Sequence, residues 1–235
     1  MFESYFSPTN PGQSFQLFSQ SHIVVIAIGL LLCVILFVNG KKLKPANLHD
    51  WLRYILIGVL AISEVSLNIW YITTGAWNVK ETLPLQLCSI SLLMSIIMLI
   101  TKSRKLFEVV YFLGIGGAIQ AILTPELFDG FPHYRYFHFF VAHFSIILAS
   151  LYMVVVEGLR VTFCSVLWAM LVLNGIAVII YFINKVIDAN YMFLAHKPTN
   201  LSVLDYLPDF PWYIIYLECI AFVVFILLYL PFKFR

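Results

Sequence analysis

Seven stretches of the chain are long and apolar enough to cross a membrane. They cover residues 17–39, 52–74, 83–101, 106–124, 136–157, 160–184 and 211–232. A helix needs about 20 apolar residues to cross about 30 Å of hydrocarbon, and none of the stretches has the in-out alternation of a membrane β-strand. We therefore predict an all-α fold, a bundle of seven transmembrane helices that forms one domain over residues 1–235.

The composition excludes the soluble classes of protein. Hydrophobic residues make up 62% of the chain and charged residues 11%, whereas soluble domains average about 45–50% and about 25%. Such a chain is not a cytosolic enzyme, a nucleic-acid-binding protein or a disordered segment. Its four cysteines lie inside apolar stretches without metal-ligand spacing, so we expect no disulfide framework, no metal and no cofactor.

The distribution of Lys and Arg predicts the orientation of the bundle. Ten of these residues fall on one side of the predicted spans and four on the other. The ten are Lys41, Lys42, Lys44, Arg53, Lys102, Arg104, Lys105, Arg160, Lys233 and Arg235, and the four are Lys80, Arg135, Lys185 and Lys197. Because cytoplasmic loops carry the excess of positive charge, we expect the N-terminus outside and the C-terminus inside. The first span lacks the pattern of a cleaved signal peptide, so it should remain as a helix.

The longest predicted connection is the outer loop 185–210. It contains two prolines and three aspartates, and Pro211 follows it directly. Loops on a rigid scaffold often carry function, so this one could act as a lid over a site. It could equally be a plain connection, and the sequence leaves both possibilities open.

Polar side chains enter the predicted spans at similar depth. At a rise of ~1.5 Å per residue, most lie about 6–10 Å below the outer boundary, and Glu64 lies one turn deeper. The set comprises Glu64, Asn68, Cys88, Gln120, His143 and Glu218. Three groups share a helix face at helical spacing: Glu64 with Asn68 and Tyr71, Cys88 with Ser91 and Ser95, and Gly117 with Gln120 and Thr124. Because polar groups in spans usually face the bundle interior, we predict a polar cavity open to the outside.

Two histidines in the fifth span could face this cavity. His138 and His143 are five residues apart, which places them about 140° apart around a helix. We therefore expect one of them to face the cavity and the other to face a neighbouring helix or the interface. A metal site built from these histidines with Glu64 and Glu218 is conceivable, but no ligand motif supports it.

Cys88 has both a packing and a catalytic interpretation. A lone cysteine in a span usually behaves as a small hydrophobe, which is our interpretation of Cys33, Cys164 and Cys219. Cys88 differs because it lies on a polar stripe at the depth of His143. A Cys and a His that meet in a cavity form a nucleophile and its base, and the thiolate can attack an acyl carbonyl to give a thioester. A nearby amide or carboxyl could orient the imidazole or stabilise the oxyanion.

Several motifs of the chain resemble those of the YwaF-type bacterial integral membrane proteins. The likeness covers roughly residues 15–232, almost the whole chain. It is carried by Leu83-Pro84-Leu85-Gln86-Leu87-Cys88, the stretch from Leu106-Phe107-Glu108 to Gly114-x-Gly116-Gly117-Ala118-x-Gln120-Ala121, Thr124-Pro125, Phe131-Pro132-His133-Tyr134-Arg135-Tyr136, Ala142-His143, Asn190-Tyr191-Met192-Phe193-Leu194 and Lys197-Pro198. That family is similar, more distantly, to eukaryotic transmembrane protein 164, an acyltransferase that makes polyunsaturated ether phospholipids through a Cys and a His.

The resemblance implies a function and a set of site residues. Cys88 matches the acyl-accepting cysteine and His143 the catalytic histidine, with His138 as the fallback for the second role. Substrate-binding or orienting roles are expected for Glu64, Asn68, Gln86, Gln120, His138, Asn190, Tyr191 and Glu218. Gln86 departs from the bacterial pattern, which often has His there. The implied partners are membrane lipids as acyl donor and acceptor, in a bacterial plasma membrane that would lack the polyunsaturated substrate.

Two other functions remain compatible with the sequence. The outer cavity could be the vestibule of a transporter of small molecules or ions, although the chain has no inverted repeat and no broken helix pair of the kind transporters use. The chain could also be a non-catalytic accessory or sensor protein whose polar residues bind a ligand or hold helices together. The sequence does not indicate an oligomeric state, and we expect no nucleic-acid partner.

Overall fold

Seven long helices make up most of the part of the chain that the structure describes. The computed structural model describes residues 3–8, 14–43, 48–197 and 206–234. The long helices are α1 (Gln20–Leu43), α2 (Leu48–Thr73), α3 (Leu87–Thr101), α4 (Arg104–Leu123), α5 (Tyr134–Val155), α6 (Phe163–Ile187) and α7 (Trp212–Lys233). A one-turn helix, Glu3–Phe6, precedes them, and a short 3-10 helix, Tyr191–Phe193, lies between α6 and α7. The described residues contain no β-strand, only an isolated bridge between Ser14 and Asp129, so the predicted all-α class is confirmed.

Six of the long helices are long and apolar enough to cross a membrane, and α3 is the exception. It has 15 residues and begins at Leu87, four residues after the predicted start. Pro84 disfavours helical backbone at the residue before it, and the Leu83 N–H donates to the Tyr191 hydroxyl at 2.9 Å instead of entering a helix. The protein is therefore a multi-pass helical bundle, while the count of seven crossings and the orientation of the termini stay predictions.

The two ends of the bundle differ in character. At one end Lys102, which follows α3, forms an ion pair with Glu157, which follows α5, at 2.7 Å. We call this the basic end, and it is where α1, α3, α5 and α7 finish. At the other end His22, near the start of α1, bonds through Nε2 to the carbonyl oxygen of Ile122 at 2.9 Å. We call this the site end, because the cavity described below lies there.

Helices α4 and α5 form the centre of the bundle. α4 packs against α3, α5, α6 and α7, and α5 packs against α1 to α4. The two central helices approach closely at Gly114, where an added Cβ would lie 2.8 Å from Cγ2 of Ile146. Small residues permit such backbone contact between helices in a membrane, where packing rather than water exclusion drives association. These two central helices carry four of the polar side chains of the site end, Gln120, Arg135, His138 and His143.

The chain between α6 and α7 is fastened to the region just before α3. Asn184 accepts a hydrogen bond from the Tyr191 N–H and donates one to the Tyr191 carbonyl, both at 2.9 Å. The buried Tyr191 hydroxyl donates to the Val79 carbonyl at 2.7 Å, in addition to its bond from Leu83. The Met192 N–H donates to Oε1 of Gln86 at 2.9 Å. We call Asn184, Tyr191 and Gln86 the clasp.

The predicted outer loop 185–210 is therefore only partly a loop. α6 extends to Ile187, the clasp holds the next residues, and residues 198–205 lie outside the described part. Met192 and Phe193 have φ values of 58° and 53°, a left-handed backbone that is costly for residues other than glycine. Such strain persists only where the surroundings hold it in place, which is the role of the clasp.

We expect Asn184→Leu to destabilise the protein. The change leaves the buried N–H and carbonyl of Tyr191 unpaired, which should lower the free energy of unfolding by about 1–3 kcal/mol. Thermal unfolding in detergent measures the effect. Asn39→Leu is the matched control, because Asn39 is exposed and its amide bonds only to the Ile35 carbonyl in its own helix. Equal melting temperatures for the two variants would contradict the role given to the clasp.

Candidate functional site

A cavity of about 480 Å³ lies at the site end, between α2 to α7 and residues 192–194. Seven of the ten site residues expected from the sequence line it: Glu64, Gln86, Cys88, Gln120, His138, His143 and Glu218. The other three, Asn68, Asn190 and Tyr191, do not line it. The structure thus brings together side chains from five different helices and the turn before α3.

Cys88 is the second residue of α3 and lies in the wall of the cavity. The residue before the helix, Gln86, has extended backbone and makes no side-chain cap. The N–H groups in the first turn of a helix have no partner within that helix, and the helix dipole gives this end a partial positive charge. Negative charge that develops near Cys88 is therefore stabilised by the start of α3.

His143 is held by its own helix. Its Nδ1 lies 2.7 Å from the carbonyl oxygen of Phe139, and the imidazole packs against the Phe139 ring with centroids 4.2 Å apart. A carbonyl oxygen only accepts, so the proton must be on Nδ1. In the neutral ring Nε2 then carries the free lone pair. No hydrogen bond joins His143 to Cys88 within the described part of the chain, and the two side chains meet only through the cavity that both of them line.

His138 has a different set of partners. Its Nε2 lies 3.1 Å from the Ser63 carbonyl on α2, so by the same argument Nε2 carries the proton. Nδ1 faces Nη1 of Arg135 at 3.5 Å. We expected only one of the two histidines to face the cavity, whereas both line it, and His138 also binds a neighbouring helix.

The carboxyl groups of Glu64 and Glu218, which line the cavity, are each bound to an amide. Asn68 donates to Oε1 of Glu64 at 3.2 Å, which explains why Asn68 lies behind the cavity wall although it shares a stripe with Glu64. Asn174 donates to Oε2 of Glu218 at 2.9 Å. The side-chain amide of Gln120 has no hydrogen-bond partner among the described residues and is available to a ligand.

The two remaining predicted site residues are structural. Asn190 Oδ1 accepts from the N–H groups of Ala195 and His196 at 2.9 and 3.1 Å. Tyr191 is fully buried in the clasp. Both residues shape the turn that carries Met192, Phe193 and Leu194 to the cavity, and neither touches the cavity itself.

Sequence reasoning missed several polar residues of the cavity. Arg135, Glu81, Thr82 and Glu126 also line it. In the sequence analysis Arg135 contributed to the count of positive charges and to one motif, and it was not predicted as a site residue. It lies three residues before His138 and eight before His143, so all three are on neighbouring turns of α5. Glu126 follows α4, and burial raises the pKa of its carboxyl. No group of three or more His, Cys, Asp or Glu side chains in the described residues could hold a metal ion.

These features define a multi-pass α-helical membrane protein with a polar cavity buried at one end of the bundle. The model of the TMEM164 family matches residues 17–229, and the chain belongs to that family. No curated protein and no solved structure matches it significantly. The predicted likeness to transmembrane protein 164 is thereby confirmed, and the assignment to the YwaF-type bacterial group stays a prediction.

Filling the cavity should slow the reaction of Cys88 with a thiol reagent. In a variant with Cys33→Ala, Cys164→Ala and Cys219→Ala, we expect Gly117→Met to reduce the rate of modification by N-ethylmaleimide on the order of tenfold, an added barrier of about 1.4 kcal/mol. Gly117 lines the cavity and has space for a side chain, since an added Cβ would lie 3.5 Å from Leu87.

Gly175→Met is the matched control for that experiment. Gly175 lies within α6, and an added Cβ would meet nothing within 4 Å, so this change should leave the rate as it was. If both variants react at the parent rate, the reagent does not reach Cys88 through the cavity. Intact mass spectrometry over time gives the rate directly.

Proposed function

We propose that the protein is a thiol-dependent lipid acyltransferase or lipase in which Cys88 is the nucleophile and His143 the base. The observation that carries the proposal is that Cys88 and His143 line one cavity, while Nε2 of His143 has no hydrogen-bond partner among the described residues. A nucleophile and a base that share a cavity are the parts that acyl transfer requires. Membership of the TMEM164 family supports the proposal, because the Cys and His roles were expected from the resemblance to transmembrane protein 164.

The first step would transfer an acyl group to the thiol. Sγ of Cys88 attacks the carbonyl carbon of a lipid ester while Nε2 of His143 takes the thiol proton. The tetrahedral intermediate then collapses, the carbon–oxygen bond to the lipid breaks, and the departing alkoxide takes the proton back from Nε2. The products are a thioester on Cys88 and a lipid with a free hydroxyl.

The second step would reverse the first with a new acceptor. A lipid hydroxyl attacks the thioester carbonyl, His143 removes the hydroxyl proton and returns it to the thiolate as the carbon–sulfur bond breaks. Water in place of the lipid hydroxyl would give hydrolysis, which is the lipase form of the same chemistry. Leu92, Ile146 and Leu173 in the cavity wall would provide apolar contacts for the acyl chain.

Two groups are suited to stabilise the oxyanion of both steps. The first turn of α3 offers uncapped N–H groups beside Cys88, and Gln120 offers a free amide in the same cavity. Donors that are fixed before the reaction stabilise developing charge without reorganisation. Segment 192–194, held by the clasp, would limit the access of water.

His143 suits the role of the base better than His138 does. The lone pair of His138 is on Nδ1, which faces the Arg135 guanidinium, and that positive charge opposes protonation. His143 keeps Nε2 without a partner among the described residues. We assign His138 to positioning, through its bond to Ser63.

We also propose that the site end faces the outside of a bacterial plasma membrane, as the distribution of Lys and Arg indicates.

A transporter remains the second candidate, because two carboxyl groups, Glu64 and Glu218, line the same cavity. Ionisable residues within spans commonly mark substrate or ion pathways. The two functions differ in which residue is essential. Transport should depend on Glu64 or Glu218 and tolerate Cys88→Ala, whereas acyl transfer depends on Cys88.

Incubation with mixed phospholipids should produce an acyl adduct on the wild-type protein. We expect intact mass spectrometry to find one acyl mass added, and Cys88→Ala to abolish the adduct because the nucleophile is gone. Cys219→Ala is the control, since Cys219 is exposed on α7 and does not line the cavity. The proposal fails if no adduct forms, or if the adduct persists in Cys88→Ala.

Substitutions of the two histidines should differ in their effect on the rate of adduct formation. His143→Gln removes the base and should slow adduct formation by about 10²–10⁴-fold. His138→Gln keeps a donor for the Ser63 carbonyl and should have a much smaller effect. The rate of adduct formation at neutral pH measures both variants, and the opposite ranking would transfer the role of the base to His138.

A further inference from the structure

Arg135 occupies a position between two cavities. It is the second residue of α5 and is half-buried. It lines the cavity of Cys88 and also a second cavity of about 420 Å³ at the site end. Tyr71, Glu81 and Thr82 line both cavities as well. The two cavities therefore share a wall, and Arg135 is the one cation in it among the described residues.

The guanidinium of Arg135 has no anionic partner in the described part of the chain. It lies over the rings of Trp70 and Tyr71, with 5.7 and 5.5 Å to the centroids, and its remaining contact is to Nδ1 of His138 at 3.5 Å. None of the described ion pairs includes it. A half-buried cation without a counter-charge is costly unless an anion completes the site, and the planar guanidinium fork fits a phosphate.

The second cavity also carries negative charge without a cationic partner. Glu81 and Asp129 line it, and Glu81 takes part in none of the described ion pairs. Asp129 lies 3.5 Å from Nδ1 of His133, but that nitrogen already accepts a hydrogen bond from the Arg135 N–H at 3.2 Å. The other nitrogen of His133 bonds to the carbonyl of Ser7 at 3.0 Å. The ring is therefore the neutral tautomer with its proton on Nε2, so it does not neutralise Asp129.

Aromatic walls complete the second cavity. Trp70 and Tyr71 both line it, and the indole N–H of Trp70 donates to the Phe6 carbonyl at 2.9 Å, which fixes the ring. These rings hold the Arg135 guanidinium over their faces, and the carboxylates of Glu81 and Asp129 in the same cavity are the groups that pair with an ammonium ion. One cavity thus offers a site for a phosphate and a site for an ammonium group.

We propose that this second cavity binds the zwitterionic headgroup of a phospholipid, with the phosphate on Arg135 and the ammonium group near Glu81 and Asp129, beside Trp70 and Tyr71. The inference rests on the proposed function in one respect, that a membrane lipid is the substrate. The shared wall then places the headgroup on one side of Arg135 and the ester on the side of Cys88. Arg135 is a positioning residue for headgroup choice and does not touch the reacting atoms.

The test measures lipid binding without catalysis. The full-length protein with Cys88→Ala is titrated with short-chain phosphatidylethanolamine and with diacylglycerol of the same chain length, and native mass spectrometry gives the dissociation constants. We expect phosphatidylethanolamine to bind at least about tenfold more tightly. Arg135→Gln should remove that preference, and Arg135→Lys, which keeps the charge but loses the fork, should retain part of it.

Lys80→Gln is the matched control. Lys80 is a cation at the same end of the bundle, but it lines neither cavity and forms an ion pair with Asp188 at 2.6 Å. Its loss should leave the preference unchanged. Glu81→Gln should weaken phosphatidylethanolamine relative to phosphatidic acid, which has a phosphate and no ammonium group. If Arg135→Gln does not fold, the decision falls to Arg135→Lys and Glu81→Gln.

Several outcomes would overturn the inference. Diacylglycerol could bind as tightly as phosphatidylethanolamine, Arg135→Gln or its substitute could keep the full preference, or Lys80→Gln could lose it equally. Displacement of the lipid by soluble glycerophosphoethanolamine at comparable concentration would assign the site to a free phosphate ester instead. The binding test uses Cys88→Ala and therefore does not depend on the proposed chemistry. Arg135-dependent binding in this variant, together with no acyl adduct on the wild-type protein, would support the headgroup site and reject the acyl transfer. An acyl adduct on the wild-type protein without Arg135-dependent binding would support the acyl transfer and reject the headgroup site.

Discussion

A membrane interior contains no water to satisfy backbone N–H and carbonyl groups, so irregular backbone survives there only where other parts of the protein pair with it. The irregular segments at the site end of this bundle are paired in this way. α3 starts late, and the chain between α6 and α7 turns back toward it. In the clasp the Tyr191 hydroxyl accepts from Leu83, Oε1 of Gln86 accepts from Met192 and the Asn184 amide donates to the Tyr191 carbonyl, and these bonds join the two interruptions. Each irregular segment supplies the partners that the other lacks, and the cavity is the space they leave.

The rest of the bundle supports this arrangement. α4 and α5 pack through Gly114 and give the site a rigid floor. α5 alone contributes Arg135, His138 and His143 to the cavity wall, so the relative positions of these three groups follow from one helix. At the basic end, Glu157 binds Lys102 and also accepts a hydrogen bond from the Tyr152 hydroxyl at 3.3 Å. The Lys102–Glu157 pair thus ties α3 to α5 at the basic end, whereas at the site end Arg135 and Glu81 form no ion pair among the described residues.

The division of roles between the histidines comes from hydrogen bonding. Each imidazole donates to a backbone carbonyl, but His143 uses Nδ1 within its own helix and His138 uses Nε2 across to α2. In His143 the opposite nitrogen has no hydrogen-bond partner among the described residues, whereas in His138 it faces the Arg135 guanidinium. A difference of this kind decides which ring can take a proton, and it cannot be read from the spacing of the two residues in the sequence.

The sequence by itself determined the helical class, the apolar segments within a few residues and the depth at which polar side chains enter them. These are local properties, since helix length and period depend only on neighbouring residues. It also gathered Glu64, Cys88, Gln120 and Glu218 into one expected cavity, because depth and helix face restrict where a polar group can lie. Only the tertiary structure decided that Asn68 lies behind Glu64 and that Arg135 stands in the shared wall. Helix rotation, hydrogen-bond partners and the start of α3 depend on contacts between residues about 100 positions apart, such as Leu83 with Tyr191, and no local pattern encodes them.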